Sequence, residues 1–580
     1  MNMNMNIKSV LLCTLIFLSS AVVQLLAMEL SFCHYTEWVN IDPIHLAIGY
    51  LTVLTLTMAF LFICNRPWLA LLGSAIFTTL VALANFYILE TRGTPFTFMQ
   101  LENVSTALNV VSSYRFEITT IVEQILISGG LLFVLCFLLR KVKADRIASG
   151  IILIVLCVMM RHAYGTIVPA NVVGWSWDAS VSKYGYTTCL TQCTFQSTIS
   201  VVKPATYNEQ ELRNYVASFE TDDTRTTTTP DIIFILNESW YDLNQVTDVQ
   251  ASKDTFAYIH SLKNSLQGNC IVPCAGGGTN VSEYEYLTGN SIYLSPNSNP
   301  FNTIDIMNGN SFATHLESLG YNSLATHTEF GVNYSRDVAF PALGFDTVYF
   351  REEYTDPEYY GGRLYYPTDT WAYRHLIQWY EEMGDAPRVM YLLTVQNHGG
   401  YEFLNEAEYL VRTKNDYGEY TNQVNEFLTC TSLTDKGFKA LVNYFKNVDR
   451  DVVICMVGDH APAFASNIAT IENITIPMRS VPYVIWSNHI DLQNQTAEEQ
   501  ISLHYMPSYV MDVANVEMSV YYETTNALRK NVPVMTSYGQ CIDSEGNAFQ
   551  ITEENQYKEM LDLYLNLAYA NMKKVNFMMN

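Results

Sequence analysis

Positive charge is scarce in this chain. It carries 32 Lys and Arg against 57 Asp and Glu, a formal net charge of −25, and no basic patch interrupts the deficit. This excludes nucleic acid as a partner, because a phosphate backbone is held by clustered cations that displace its counterions. Charge of either sign is sparse. Only 15% of residues are charged and 49% are hydrophobic, an apolar balance for a soluble protein of 580 residues. Internal repeats and low-complexity tracts are lacking. Histidine is not interleaved at finger-like spacing with the Cys189/Cys193 and Cys270/Cys274 pairs, which argues against structural zinc there. These pairs read as local disulfides or free thiols.

The apolar excess lies at the front. Residues 7–27, 44–64, 67–89 and 120–139 are near-continuous apolar runs long enough to cross a bilayer core of about 30 Å. A fifth run, Ile147–Met160, is short and reads as a fifth span over a re-entrant segment. The first run reads as an anchor rather than a signal peptide, since it lacks a clear small-residue cleavage site and four more runs follow. Arg140, Lys141, Lys143 and Arg146 form the densest basic loop, with Lys8 and Arg66 on the same side, whereas Glu29–Asp42 and Glu90–Glu117 are mostly acidic or neutral. The positive-inside rule puts the N-terminus in the cytoplasm and everything after five crossings outside. That remainder holds 23 basic and 49 acidic residues. Such a domain repels polyanionic surfaces unless metal ions mask it.

Residues 162–229 read as an extracellular linker with one short helix, and Thr221–Pro230 as a breaker-rich boundary. From Asp231 the texture is α/β. Strands are predicted at Ile232–Leu236, Ser323–Ala325, Val389–Val395, Val452–Val457 and Pro482–Trp486. Helices are predicted at Ser282–Thr288, Ser311–Leu319, Asp369–Glu382, Leu433–Asn447, Met506–Val513 and Glu553–Lys574. Buried strands with helical crossovers predict a sheet covered on both faces. The organisation expected is a transmembrane domain over 1–161, the linker, and a catalytic domain over 230–580.

Chemically capable side chains recur at one place in this pattern. Glu238, His327, His398 and Asp459-His460 each follow an apolar strand, and open α/β sheets bind ligands beyond the carboxyl ends of their strands. Each alone is more often a helix cap or a structural histidine; the argument rests on the combination. Thr279 closes the bend Cys274-Ala-Gly-Gly-Gly-Thr279. Its hydroxyl is a poor nucleophile unless a base or metal lowers its pKa. Glu, Asp, His and a threonine oxygen form a mixed O/N donor set suited to Mn²⁺, Mg²⁺ or Zn²⁺. The glycines admit close backbone approach, and the amides of a helix beginning near Ser282 suit a phosphate. Arg336 and the two histidines then hold an anionic substrate.

Asn237-Glu-Ser-Trp240, the glycine-threonine segment 276–291, and Ser311–Asp346 with His327 and Asn333-Tyr-Ser-Arg-Asp337 resemble the lipoteichoic acid synthase family. Asn397-His398 and Gly458-Asp-His460 do so too, and with Arg92-Gly-Thr-Pro95 the resemblance covers roughly 90–580. The resemblance implies an all-α transmembrane bundle of five helices followed by an extracellular α/β domain. That domain would have the alkaline-phosphatase/sulfatase-like mixed sheet flanked by helices. It implies Mn²⁺ held by Glu238, Thr279, Asp459 and His460, with Thr279 the nucleophile and His327, Arg336 and His398 on the glycerol-phosphate group. Phosphatidylglycerol is then the donor and diacylglycerol the leaving product. A glycolipid, teichoic acid or surface polysaccharide is the acceptor, at a bacterial cell membrane. Tyr334 departs from the family's usual Trp, and the Gly-Gly-Gly-Thr-Asn form is closer to a branch some of whose members decorate surface polysaccharides.

A true sulfatase is disfavoured, because Thr279 lacks the C/S-x-P-x-R setting of formylglycine enzymes. A phosphoethanolamine transferase is the nearest rival and a phosphodiesterase the next. A non-catalytic surface protein is the reading from another class.

Overall fold

A computed structural model describes residues 7–32, 41–92, 95–98, 118–169, 172, 177–199, 201–219, 229–296, 299–304 and 310–573. Gly93, Thr94, residues 99–117 and most of the 221–230 boundary lie outside the described residues. The chain divides into two compact units. One is Met1–Ile199 with Asn297–Thr303 and Val332–Tyr334; the other takes in the rest.

In the first unit the apolar runs form α1 (Ile7–Leu30), α2 (Pro43–Cys64), α3 (Pro67–Arg92), α4 (Thr120–Leu138) and α5 (Arg146–His162). Among the described residues five helices are long and apolar enough to cross a membrane, and this is a multi-pass membrane protein. The fifth looked short because Arg161 and His162 interrupt its apolar run. The helix carries on through a π turn at Ala163–Ile167, and the span reaches 22 residues. Residues expected as irregular linker carry α6 (Trp177–Tyr184) and α7 (Tyr186–Ile199). Glu29 holds the start of α7, accepting from the Tyr186 and Thr187 backbone N–H groups at 2.7 and 2.9 Å. That carboxylate answers two of the amides a helix start leaves unpaired. Cys189 and Cys193 are buried free thiols among the apolar side chains of this unit.

The second unit is built on an eight-stranded sheet. Its strands are β1 (Asp231–Asn237), β2 (Ser265–Ile271), β3 (Asn322–His327), β4 (Thr347–Tyr349), β5 (Arg388–Leu393), β6 (Val452–Gly458), β7 (Ser480–Ser487) and β8 (Gln500–Ser502), in the order β4-β3-β5-β1-β6-β7-β2-β8. The block β4-β3-β5-β1-β6 is parallel, β7 runs antiparallel to both neighbours, and β2 pairs parallel with β8. Among the described residues a small antiparallel sheet follows: β9 (Val534–Met535), β10 (Gln540–Ile542) and β11 (Ala548–Gln550). Every residue of β1, β5 and β6 is buried, the continuous apolar pattern of strands covered on both faces.

One face carries Ile233, Ile235, Met390, Leu392, Ile454 and Met456 against Trp371, Leu376, Phe438, Leu441 and Phe445. These last five belong to two helices, Asp369–Glu382 and Thr421–Phe445. On the other face Phe234 stacks on Phe312 with centroids 4.2 Å apart and meets Tyr286 edge-on. Burying each such side chain contributes about 1.5–3 kcal/mol, which fixes the register of the strand ends. In that register Leu236 and His327 both pair with Leu393, and Asn237 pairs with Gly458. The residues just beyond these pairs therefore emerge side by side.

Candidate active site

Glu238 and Asp459 stand one position past the Asn237–Gly458 pair, so strand register alone makes them neighbours. The backbone reverses at Ser239, whose φ of 46° lies in the left-handed region. Its N–H donates to Asp459 Oδ1 at 2.7 Å and its hydroxyl to Glu238 Oε1 at 2.9 Å. Only glycine fits at 458, because a Cβ there would stand 2.1 Å from the Trp240 carbonyl oxygen.

Thr279 arrives from another direction. Gly276, Gly277 and Gly278 hold φ of 72°, 142° and 95°, angles that L side chains rarely adopt. The Gly276 N–H donates to the Ala461 carbonyl at 3.0 Å, tying this bend to the loop after β6. Helix α8 (Thr279–Thr288) then begins at Thr279 itself. The buried Thr279 hydroxyl lies 3.4 Å from Glu238 Oε2 and 3.4 Å from His460 Nε2. Cys274, five residues earlier, is no rival nucleophile. It is a free thiol, and burial pushes it up to about 12, far from the thiolate form.

Glu238, Asp459 and His460 each offer a ligand atom within 4.8 Å of the others, and all three are buried. His460 Nδ1 donates to the Ala461 carbonyl at 3.0 Å, which leaves the Nε2 lone pair facing Asp459 Oδ2 at 3.2 Å and Glu238 Oε1 at 3.6 Å. Asp459 Oδ2 is buried and receives no hydrogen bond. Burial and the Glu238 charge push Asp459 up to about 7. Burial alone would lower His460, but the Asp459 and Glu238 charges outweigh it and raise it, so a proton competes with a cation for the Nε2 lone pair. Lone pairs turned on one another in a buried cluster fit a divalent cation, which answers their repulsion and takes this mixed O/N set.

The other three residues singled out in the sequence lie in the same unit. His327 ends β3, and its Nδ1 donates to the Leu393 carbonyl at 3.1 Å. Burial and the Arg336 charge hold it well below the ordinary histidine range, so its ring is neutral. Arg336 starts helix α9 (Arg336–Ala342), after two non-glycine residues, Tyr334 and Ser335, with φ of 59°. It is buried in an ion pair with Glu283 of α8, donating from Nε at 2.9 Å and from Nη2 at 2.5 Å. His398 is exposed, its ring 4.9 Å from that of Tyr366.

The asparagines of two sequence motifs orient this set, a role that the sequence does not assign to them. Asn237 donates to Asp369 Oδ2 at 2.9 Å, and Asn397 donates to Asn237 Oδ1 at 3.1 Å and to Thr434 at 3.0 Å. Thr434 in turn donates to Asp369 Oδ2 at 2.7 Å. One buried network thus joins the residues immediately before Glu238 and His398. The available signal was the asparagine in each motif, a side chain that is seldom fully buried without partners.

Residues 230–516 match the Sulfatase family. Over 274 residues, 45% of this chain, the sequence is 28% identical to a Rhizobium meliloti (strain 1021) protein whose name assigns it to cyclic beta-1,2-glucan modification; the match spans 42% of that relative's length. Among solved structures, Streptococcus pyogenes phosphoglycerol transferase GacH, in complex with sn-glycerol-1-phosphate, aligns at a TM-score of 0.51. It is 18% identical, over 64% of this chain and 95% of that one. The lipoteichoic acid synthase LtaP of Listeria monocytogenes aligns at 0.47, 15% identical, over 63% and 98%. Fold and site together define a membrane protein with a sulfatase-type catalytic domain. The 230–516 segment carries a Sulfatase-family domain, and the chain shares its fold with the GacH structure.

Proposed function

We propose that this protein moves glycerol phosphate from phosphatidylglycerol to a cell-envelope glycopolymer or teichoic-acid acceptor, outside a bacterial cell membrane. The observation that carries the reading is the Thr279 hydroxyl, at the head of α8 and 3.4 Å from both Glu238 and His460. The five spans support a lipid donor, since they anchor the chain in the layer that contains it. The Thr279 oxygen attacks phosphorus, forming a threonine phosphoglycerol ester and breaking the bond to diacylglycerol, which leaves with the threonine's proton. An acceptor hydroxyl then attacks the ester, and its proton returns to Thr279.

Glu238, Asp459 and His460, with the Thr279 oxygen, would hold Mn²⁺, with Mg²⁺ or Zn²⁺ as alternatives, and a bound ion acidifies the hydroxyl and offsets phosphoryl charge. The chain itself supplies position. The α8 amides face the phosphoryl oxygens, and Arg336, fixed by Glu283, adds ordered positive charge. Neutral His327 accepts a glycerol hydroxyl at Nε2, and His398 lies on the exposed side.

The test is release of labelled diacylglycerol from phosphatidylglycerol by the detergent-solubilised full chain with Mn²⁺. Thr279→Ala is expected to lower the rate by a factor on the order of 10⁴ or more. No release from any glycerophospholipid would sink the reading. Release from phosphatidylethanolamine alone would make the protein a phosphoethanolamine transferase, and free glycerol phosphate as the sole second product would make it a phosphodiesterase.

A further inference from the structure

On the exposed side of His398, two aromatic rings are stacked where water reaches them. Tyr365 and Phe403 lie with centroids 5.5 Å apart and planes at 22°, and Tyr365 is 65% exposed. Tyr366 meets Tyr365 edge-on at 4.9 Å and His398 at 4.9 Å, so the pair is continuous with the candidate site.

The pair is built in. Leu364 and Leu404, each next in sequence to one of the rings, share a small buried cluster with Cys430. The buried Glu426 carboxylate accepts the backbone N–H groups of Phe403 and Leu404 at 3.0 and 2.8 Å. The chain from His398 turns through Gly400 and Tyr401, with φ of 121° and 40°. A Cβ on Gly400 would stand 2.8 Å from the Phe403 ring. Two loops are thus clamped so that one large ring faces outward. Two stacked rings held this way offer a ligand a fixed, flat apolar face.

We infer that Tyr365 and Phe403 form a stacking platform for a pyranose ring of a neutral glycan, the acceptor in the reaction proposed above, on which this inference rests. The C–H face of a sugar carries the partial positive charge that the negative face of an aromatic ring attracts. Arg363 and Glu402, close in sequence to Tyr365 and Phe403, carry polar groups that sugar hydroxyls can use and an acyl chain cannot. Charge selects against an anionic polymer, because the loops 360–367 and 399–409 carry Glu402, Glu406 and Glu408 against Arg363 alone.

The experiment measures binding without turnover, on full-length Thr279→Ala protein in detergent. Saturation-transfer NMR and titration use short neutral gluco-, galacto- and rhamno-oligosaccharides as probes. At least one series is expected to bind, with Tyr365→Ala or Phe403→Ala weakening it at least about tenfold. Tyr365→Phe is expected to keep the affinity, as is Tyr538→Ala, an exposed tyrosine outside these loops. Failure of every sugar to bind overturns the inference, as does undiminished binding by both alanine variants. A Tyr365→Ala defect in partitioning to phosphatidylglycerol vesicles, with sugar binding intact, would make the pair a lipid contact and equally overturn it. Diacylglycerol release by the wild-type protein is a separate measurement, so failure of the platform and failure of the transferase reading are told apart.

Discussion

Asp369 sits in the first turn of helix Asp369–Glu382 with its carboxylate buried, and burial pushes it from 3.8 up to about 6. Between those values the folded state holds the proton and the unfolded chain has lost it. Stability from this group is therefore full below pH 3.8 and is lost as pH rises through about 6. Two pKa units correspond to about 3 kcal/mol. Asp369→Asn keeps an acceptor for Asn237 and Thr434 but cannot ionise. Its melting temperature relative to wild type is expected to climb between pH 4 and 7, and a constant difference across that range would refute the account. The same residue marks what sequence shows at this scale. Glu238, Asp459 and His460 are legible because each follows a buried strand. Ser239, Glu283 and Asp369 are not, because their partners lie 220, 53 and 132 residues away.

Helix α8 begins three residues before the predicted Ser282, because the glycine run ends at Gly278 in the left-handed region and the helix starts at once. That start puts Thr279, rather than a loop residue, at the amide-rich end. One turn later Glu283 pairs with buried Arg336. Removing one partner of such a pair leaves a buried charge uncompensated, so Glu283→Gln is expected to destabilise by about 3–5 kcal/mol. Glu283→Gln with Arg336→Met is expected to recover most of that loss in thermal melts, and no recovery would sink the ion-pair account. The helix predicted at Leu433–Asn447 runs instead over Thr421–Phe445. Its first part, Thr-Asn-Gln-Val-Asn-Glu, hides its helical face because Glu426 is buried to hold a loop rather than exposed. Strand β2 leaves no signal in the sequence, because Ser-Leu-Gln-Gly-Asn-Cys-Ile has no clean alternation. Its Gly268 is required where a Cβ would stand 2.2 Å from the Glu498 carbonyl oxygen. Strands β4 and β8, of three residues each, are too short to show a period.

For the whole molecule, charge asymmetry around the spans predicts the orientation. In intact cells, external protease is expected to cut within 230–573 and to spare a tag fused before Lys8; cleavage of the tag would reverse the topology. Bound metal is expected to stabilise the fold as well as enable reaction, since a cation bound only by the folded state adds about 2.7 kcal/mol at a hundredfold excess over Kd. Chelation should lower both the melting temperature and diacylglycerol release, and Mn²⁺ should restore both. An unchanged melt would mean the cluster holds no ion. The sequence by itself determined five spans, a covered α/β sheet and the chemical types beyond its strands, because hydrophobic period and strand endings are local. Only the tertiary structure decided that Glu238 and Asp459 are register neighbours, that a triple-glycine bend swings Thr279 to them, and that Arg336 is tied to Glu283. Each of these is a contact between distant segments, fixed by sheet order and by the packing of both faces, which no local pattern encodes.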